Sequence, residues 1–226
     1  HQIWSGITYN LKKIAGTGGA GYNGENIPAG EAQFNYPRAI MGDADGNIYI
    51  ADRLNNRVRK VDTNGIISTV AGTGESGYTG DGSAATSATI SSPITVRVDK
   101  ADNIYIAQWS SNPAIRKIWK GSGIITTVAG TGTVGYTTDT TAIHALLTSP
   151  LGMALDSKGN LFFGEQGNKM IRKIDASYHT LTGTPTNSDV GTTTMTLTAS
   201  DGQGGSATQS FALKVINTND APVLTS

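Results

Sequence analysis

The chain of 226 residues is 37% hydrophobic and carries 29 Gly, the composition of turn-rich β structure. Lys plus Arg and Asp plus Glu both number 17, so bulk charge recruits neither DNA nor an anionic membrane surface. Cysteine is absent, which removes a disulfide framework, a thiolate metal site and a Cys nucleophile, and no apolar run approaches the roughly 18 residues of a membrane-spanning helix.

In chain order the first element is a fragment. His1–Gly16 aligns with Ile118–Gly130, Trp4 falling against Trp119, and is read as the last strands of an earlier unit. The first full unit runs from Tyr36 to Gly72. Its expected strands are Arg38–Met41 after Pro37, Asn47–Ala51 after the Asp45-Gly46 turn, Arg57–Val61 after Leu54-Asn55-Asn56, and Ile66–Val70 after Thr63-Asn64-Gly65. The second unit repeats the pattern with the turn Ala101-Asp102, then Asn103–Ala107, Ile115–Trp119 and Ile124–Val128. The third has the turn Ser157-Lys158-Gly159, then Leu161–Gly164 and Ile171–Asp175.

Three phrases mark this repeat. An aliphatic residue with Ala-Gly-Thr-Gly stands at Ile14–Gly18, Val70–Gly74 and Val128–Gly132; Asn-Ile-Tyr-Ile-Ala at Asn47–Ala51 and Asn103–Ala107 returns as Asn160–Gly164. Arg-Lys-aliphatic stands at Arg59–Val61, Arg116–Ile118 and Arg172–Ile174, and each marker advances by 56 to 58 residues. Four short antiparallel strands joined by tight turns make a propeller blade, and the period exceeds the usual roughly 40–50 residues by one long loop per repeat. The expected fold is all-β: about three four-stranded antiparallel blades over 1–176, with 1–16 closing a preceding blade, and a separate β segment over 177–226. Three blades do not close a ring, so the arc is expected to be completed by other copies or by neighbouring domains of a longer parent.

Pro37, Gly46–Asp52, Asn56–Val61 and the Ala-Gly-Thr-Gly stem together resemble the NHL repeat, from about Ile14 to Asp175. That resemblance implies six-bladed propellers used mostly as binding platforms, some members being lyases with metal in the channel. After Asp175 the composition shifts to Thr, Ser and Gly. Thr192–Ala199 and Ala207–Ile216 alternate apolar and polar residues on either side of Asp201–Gly205, which predicts a hairpin. The string from Leu181 to Pro185, the Ser200–Gly205 turn and the exit Asn217–Pro222 resemble the last strands of cadherin-like, Ig-type surface domains. A lone hairpin is marginal in water, so it either packs within the chain or donates its strands to a neighbour.

Candidate sites come with competing readings. Tyr22, Tyr78 and Tyr136 follow Gly in each long loop and suit either stacking on sugar or peptide ligands or packing between blades. The Arg-Lys pairs form either a polyanion-binding stripe or structural ion pairs with Asp52, Asp62, Glu165 and Asp175. Asp43–Asn47 resembles the opening of a calcium loop, but Leu54 stands where the closing carboxylate is needed, so a hairpin turn is the better reading. Calcium is the one candidate cation, at Asp201, Asn217, Asn219 and Asp220, a set similar to the interdomain linkers of cadherin-like modules. His1, His144 and His179 fall at no ligand spacing, and no Gly-x-Ser-x-Gly elbow exists. The expected function is therefore non-enzymatic: a secreted or cell-surface structural and adhesive β-protein of bacterial or archaeal source, binding glycans, surface proteins or other copies through blade loops and open strand edges, including a filament built on the donated hairpin. The alternatives are a fragment of an NHL-type metal-dependent lyase and a monomeric carbohydrate- or peptide-binding propeller.

Overall fold

A computed structural model describes residues 10–109, 111–138, 140–176, 191–200 and 206–215. The chain divides into two compact units, His1–Ala176 and Ser177–Ser226. In the first unit, β1 (Ile27–Pro28), β2 (Pro37–Gly42), β3 (Ile48–Asp52), β4 (Arg57–Val61) and β5 (Ile66–Ala71) form one sheet in the order β1-β5-β4-β3-β2. A second sheet runs β6 (Pro93–Val98), β7 (Ile104–Gln108), β8 (Ala114–Ile118), β9 (Ile125–Ala129), and a third runs β10 (Pro150–Leu155), β11 (Leu161–Glu165), β12 (Met170–Ile174). Neighbouring strands are antiparallel throughout.

Each inner strand opens on a Pro, which cannot donate a ladder hydrogen bond, and the pairing slips at that point in all three sheets. The residue before it adopts left-handed backbone in every repeat: Tyr36 at φ 54, Ser92 at 42, Ser149 at 54. The hairpins after the inner strands are Asx turns. The Asn47 backbone N–H donates to Asp43 Oδ1 at 2.8 Å, with Asn103 on Asp99 and Asn160 on Asp156 at 2.9 Å. These carboxylates are consumed by their own turns.

Three apolar clusters hold the unit. Tyr49, Val58 and Ala71 of the first blade pack on Ile90, Val96, Ile104 and Ile106 of the second. Tyr105, Ala107, Ile115 and Ala129 of the second pack on Leu147, Met153, Leu161 and Phe163 of the third. Ala29, Ala32, Ile50, Val61 and Ile67 form the third cluster at the leading end, with Ala15, Phe34 and Ile48 against it.

Two expectations are revised. The first sheet has a fifth strand because the loop before it lays Ile27–Pro28 along Ile66–Ile67. The third sheet has three strands among the described residues, because the sequence leaves the repeat after Asp175 and supplies no equivalent of Ile66–Val70 there. Residues 1–9 lie outside the described residues, and Asn10–Ala15 pairs with no strand among them. In the second unit β13 (Gly191–Ser200) and β14 (Ser206–Val215) form one antiparallel hairpin that sets Met195 opposite Phe211 and Thr193 opposite Leu213. The alternate positions Thr192, Thr194, Thr208 and Ser210 are exposed.

Candidate functional site

The polar end of each blade is built from the same three parts. The Arg of the Arg-Lys pair rises from the third strand; a tyrosine 36 to 38 residues earlier in the sequence covers it; and the last residue of the second strand supplies an oxygen. Arg59 lies 4.9 Å from the Tyr22 ring, Arg116 lies 5.2 Å from Tyr78, and Arg172 lies 5.5 Å from Tyr136. Arg59 and Arg116 are fully buried. Arg59 Nε and Nη1 and Arg116 Nε have no hydrogen-bond partner among the described residues, so the ring faces take over part of the solvation these cations lose.

The oxygens differ from blade to blade. Asp52 is buried, accepts the Asn35 N–H at 2.8 Å and the Asn55 amide at 2.7 Å, and its carboxyl is pushed up by burial against the pull of those donors and of Arg59. Gln108 replaces it in the second blade and accepts from Arg116 at 3.3 Å. There the negative charge comes instead from the loop, where Asp81 pairs with Arg116 at 2.5 Å. Glu165 closes the third set, pairing with Arg172 at 2.9 Å and accepting the Asn168 amide at 2.6 Å. In the first blade Glu25, three residues after Tyr22, accepts from the Thr69 N–H and from the Tyr22 hydroxyl, both at 2.6 Å. Burial opposes its ionisation, yet the Thr69 and Tyr22 hydrogen bonds and the Arg59 charge outweigh it and hold the carboxyl below its ordinary value. The spacing Tyr-x-x-acid, Tyr22 with Glu25 and Tyr78 with Asp81, was the sequence signal for this network. Asp139 holds the same spacing after Tyr136 and lies outside the described residues.

The candidate ligand-stacking tyrosines are thus brought to equivalent places, each laid on an arginine. Tyr22 and Tyr136 are exposed, whereas Tyr78 is half-buried and donates to the Gly130 carbonyl at 2.9 Å. Asp201, Asn217, Asn219 and Asp220 lie outside the described residues, as do His1 and His179. His144 is exposed. Among the described residues no three His, Asp or Glu side chains gather to hold a metal, and no helix is long and apolar enough to cross a membrane.

The second feature is a pair of unmatched faces. On the side of each blade that meets the next blade, Val58 and Ile115 are 0% exposed, whereas their third-blade equivalent Ile171 is 75% exposed. On the opposite side Val96 and Met153 are buried, but Ile40 in the first blade is 65% exposed. A cavity of about 630 Å³ opens at the start of the same strand, lined by Ala15, Gly16, Gly18, Phe34, Tyr36 and Pro37 among others. In the other repeats this volume is filled. A Cβ on Gly72 would lie 2.2 Å from the Asn56 carbonyl, and one on Gly130 would lie 2.7 Å from that of Pro113, each oxygen supplied by the β3–β4 or β7–β8 connection of the blade whose fourth strand leads into that stem. At Gly16 a Cβ would meet only Phe34, at 3.5 Å.

Residues 10–78 match the model of the Teneurin NHL domain, and residues 173–216 match that of a putative Ig domain. The chain is 28% identical to human Teneurin-1 over 208 residues, a match that covers 81% of this chain and 7% of Teneurin-1. It is 26% identical to the chloroplastic protein SUPPRESSOR OF QUENCHING 1 of Arabidopsis thaliana, covering 77% of this chain and 17% of that protein. The chain therefore spans a small part of the length of these relatives. Among solved structures, a protein of unknown function from Bacteroides thetaiotaomicron superposes with a TM-score of 0.55 at 25% identity, over 61% of this chain and 34% of that one. An auxiliary nutrient binding protein from Bacteroides ovatus gives a TM-score of 0.53 at 22% identity, over 65% and 38%. Repeat spacing, blade topology and these likenesses converge: the described residues between 10 and 176 fold as NHL-type propeller blades, incomplete as a ring among the described residues, and residues 173–216 resemble an Ig-like segment.

Proposed function

We propose that this protein is a non-catalytic structural and adhesive module of the cell surface or extracellular space, associating with itself through its open blade faces. The observation that carries the reading is Ile40 and Ile171. Both occupy positions that are fully or almost fully closed wherever a neighbouring blade exists, and an apolar sheet face of that kind is stable in water only when covered. The polar blade ends favour a structural role as well, since their arginines, carboxylates and tyrosines are largely spent on one another. The surface location follows from the likeness of the tail to Ig-type surface segments. Sedimentation velocity at micromolar concentration tests the reading. The chain is expected to sediment as a species larger than its 23.5 kDa, and Ile40→Asp or Ile171→Asp to return it to a single copy. Sedimentation of the unaltered chain as one copy at every concentration would overturn the reading.

A further inference from the structure

Among the described residues, Leu11–Ala15 stands where a fourth strand would run but belongs to no sheet, and the third sheet has no fourth strand. The stem Ile14–Gly18 is equivalent to Val70–Gly74 and Val128–Gly132, and it is seated identically on the loop that follows. Gly16 N–H donates to the Ala29 carbonyl at 2.8 Å, as Gly72 does to Ala85 at 3.0 Å and Gly130 to Ala142 at 2.9 Å. Immediately before the stem, the other two repeats run as the fourth strands β5 and β9. Leu11 therefore corresponds to Ile67 and Ile125, both 0% exposed, yet Leu11 itself is fully exposed. Meanwhile β12 pairs only with β11, leaving its outer edge unpaired among the described residues.

The apolar clusters tell the same story. Between blades one and two, three trailing-face residues, Tyr49, Val58 and Ala71, meet the next blade, and between two and three Tyr105, Ile115 and Ala129 do so. At the leading end the third of these positions, Ala15, is present in the cluster and the other two are missing. Their third-blade equivalents, Phe162 and Ile171, stand exposed at the far end of the same arc.

We propose that two copies close into one ring, each laying its Leu11–Ala15 segment along the partner's β12 and seating the partner's Phe162 and Ile171 against its own Ala15, Phe34 and Ile40. This rests on the reading that the open faces self-associate, and it names how. Propellers close with about four to eight blades. Two copies of a three-blade arc fall in that window; one copy or three do not. The contact is heterologous in each copy but repeats under a two-fold axis, so it terminates instead of growing into a fibre. Strand addition of this kind also removes the edge that β12 otherwise presents. The register follows from the finished blades. Val61 pairs with Ile67 and Ile118 with Ile125, while Lys60 pairs with Ser68 and Lys117 with Thr126; hence Leu11 faces the partner's Ile174, and Lys12 faces the partner's Lys173. Lys13 then falls opposite the partner's Arg172. These juxtapositions are like-charged, although Arg172 is already paired with Glu165 and Lys173 with Asp175, so salt is expected to tighten the ring.

Two variants test this. Leu11→Asp leaves the single copy's packing untouched, because Leu11 is fully exposed there, but places a charge in the partner's apolar layer; dissociation is expected to rise roughly a hundredfold or more. The native chain has no Cys, so Lys12→Cys combined with Lys173→Cys gives a clean cross-link. Oxidation is expected to yield a covalent species that stops at two copies, while either single substitution does not. If the unaltered chain associates but Leu11→Asp does not weaken it, or the double variant gives a ladder or no cross-link, the strand exchange is overturned while self-association stands. A single-copy mass for the unaltered chain overturns both.

Discussion

Arg116 shows why the blade ends hold. A buried guanidinium loses its water, and here Tyr78, Asp81, Gln108 and the Thr79 carbonyl replace it. Arg116→Met keeps the apolar stem but strands those partners, and we expect a loss of about 2–3 kcal/mol in denaturant unfolding, discounted because Asp81 is half exposed. Tyr78→Phe removes only the hydrogen bond to Gly130, about 1 kcal/mol, whereas Tyr78→Ala also bares Arg116 and costs about 2–3 kcal/mol. Asp52 gives a pH signature. Its folded carboxyl sits above the ordinary aspartate value because burial disfavours its charge. Protonation therefore favours the folded state: this contribution grows as pH falls through the raised value and is complete below the ordinary one. Asp52→Asn removes it, so the stability of the unaltered chain minus that of the variant is expected to increase as pH falls through that window. A difference that stays flat contradicts the assignment. Part of this row was legible, since the Arg-Lys pairs were read as partners of Asp52 and Glu165 and the tyrosines as packing residues; that Gln108 takes the same structural position, and that these arginines are buried, was not, because an arginine inside a strand gives no sign of its burial.

At the scale of elements, the strands were read closely. Ile27–Pro28, Pro93–Val98 and Pro150–Leu155 were not named, whereas Arg57–Val61 was placed to the residue and the other strands named in the sequence shifted by one residue at one or both ends. Local chemistry decided these: Asp-Gly turns, β-branched runs, a Pro that cannot sit in mid-ladder. The stem glycines could not be read that way, since what makes them necessary is the close approach of the connection before the third strand. Gly72 adopts φ 92, and a Cβ there would strike the Asn56 carbonyl at 2.2 Å, whereas Gly18 at φ 91 has open space around it. Gly72→Ala is therefore expected to cost about 3 kcal/mol or more in thermal unfolding, and Gly18→Ala only about 1 kcal/mol, the backbone cost alone. Equal losses would mean that the close approach of the Asn56 carbonyl to Gly72 contributes nothing. The role of Leu11–Ala15 was legible in part, since the repeat marks 1–16 as the end of a preceding blade. What the structure adds is that Leu11 is fully exposed.

At the scale of the whole molecule, the NHL-type unit has a repeating interior and two unlike ends. Each internal blade contact buries one trailing and one leading face, so an arc of three leaves one of each uncovered, complementary by construction. A sequence repeat implies this complementarity; the structure locates it in Ile40, Phe162, Ile171, Ala15 and the cavity beside Phe34. Sedimentation equilibrium over a wide concentration range tests the central claim most directly. The account predicts a mass that plateaus at twice 23.5 kDa and goes no higher as concentration rises. A mass of one copy throughout, or one that climbs without limit, would contradict it.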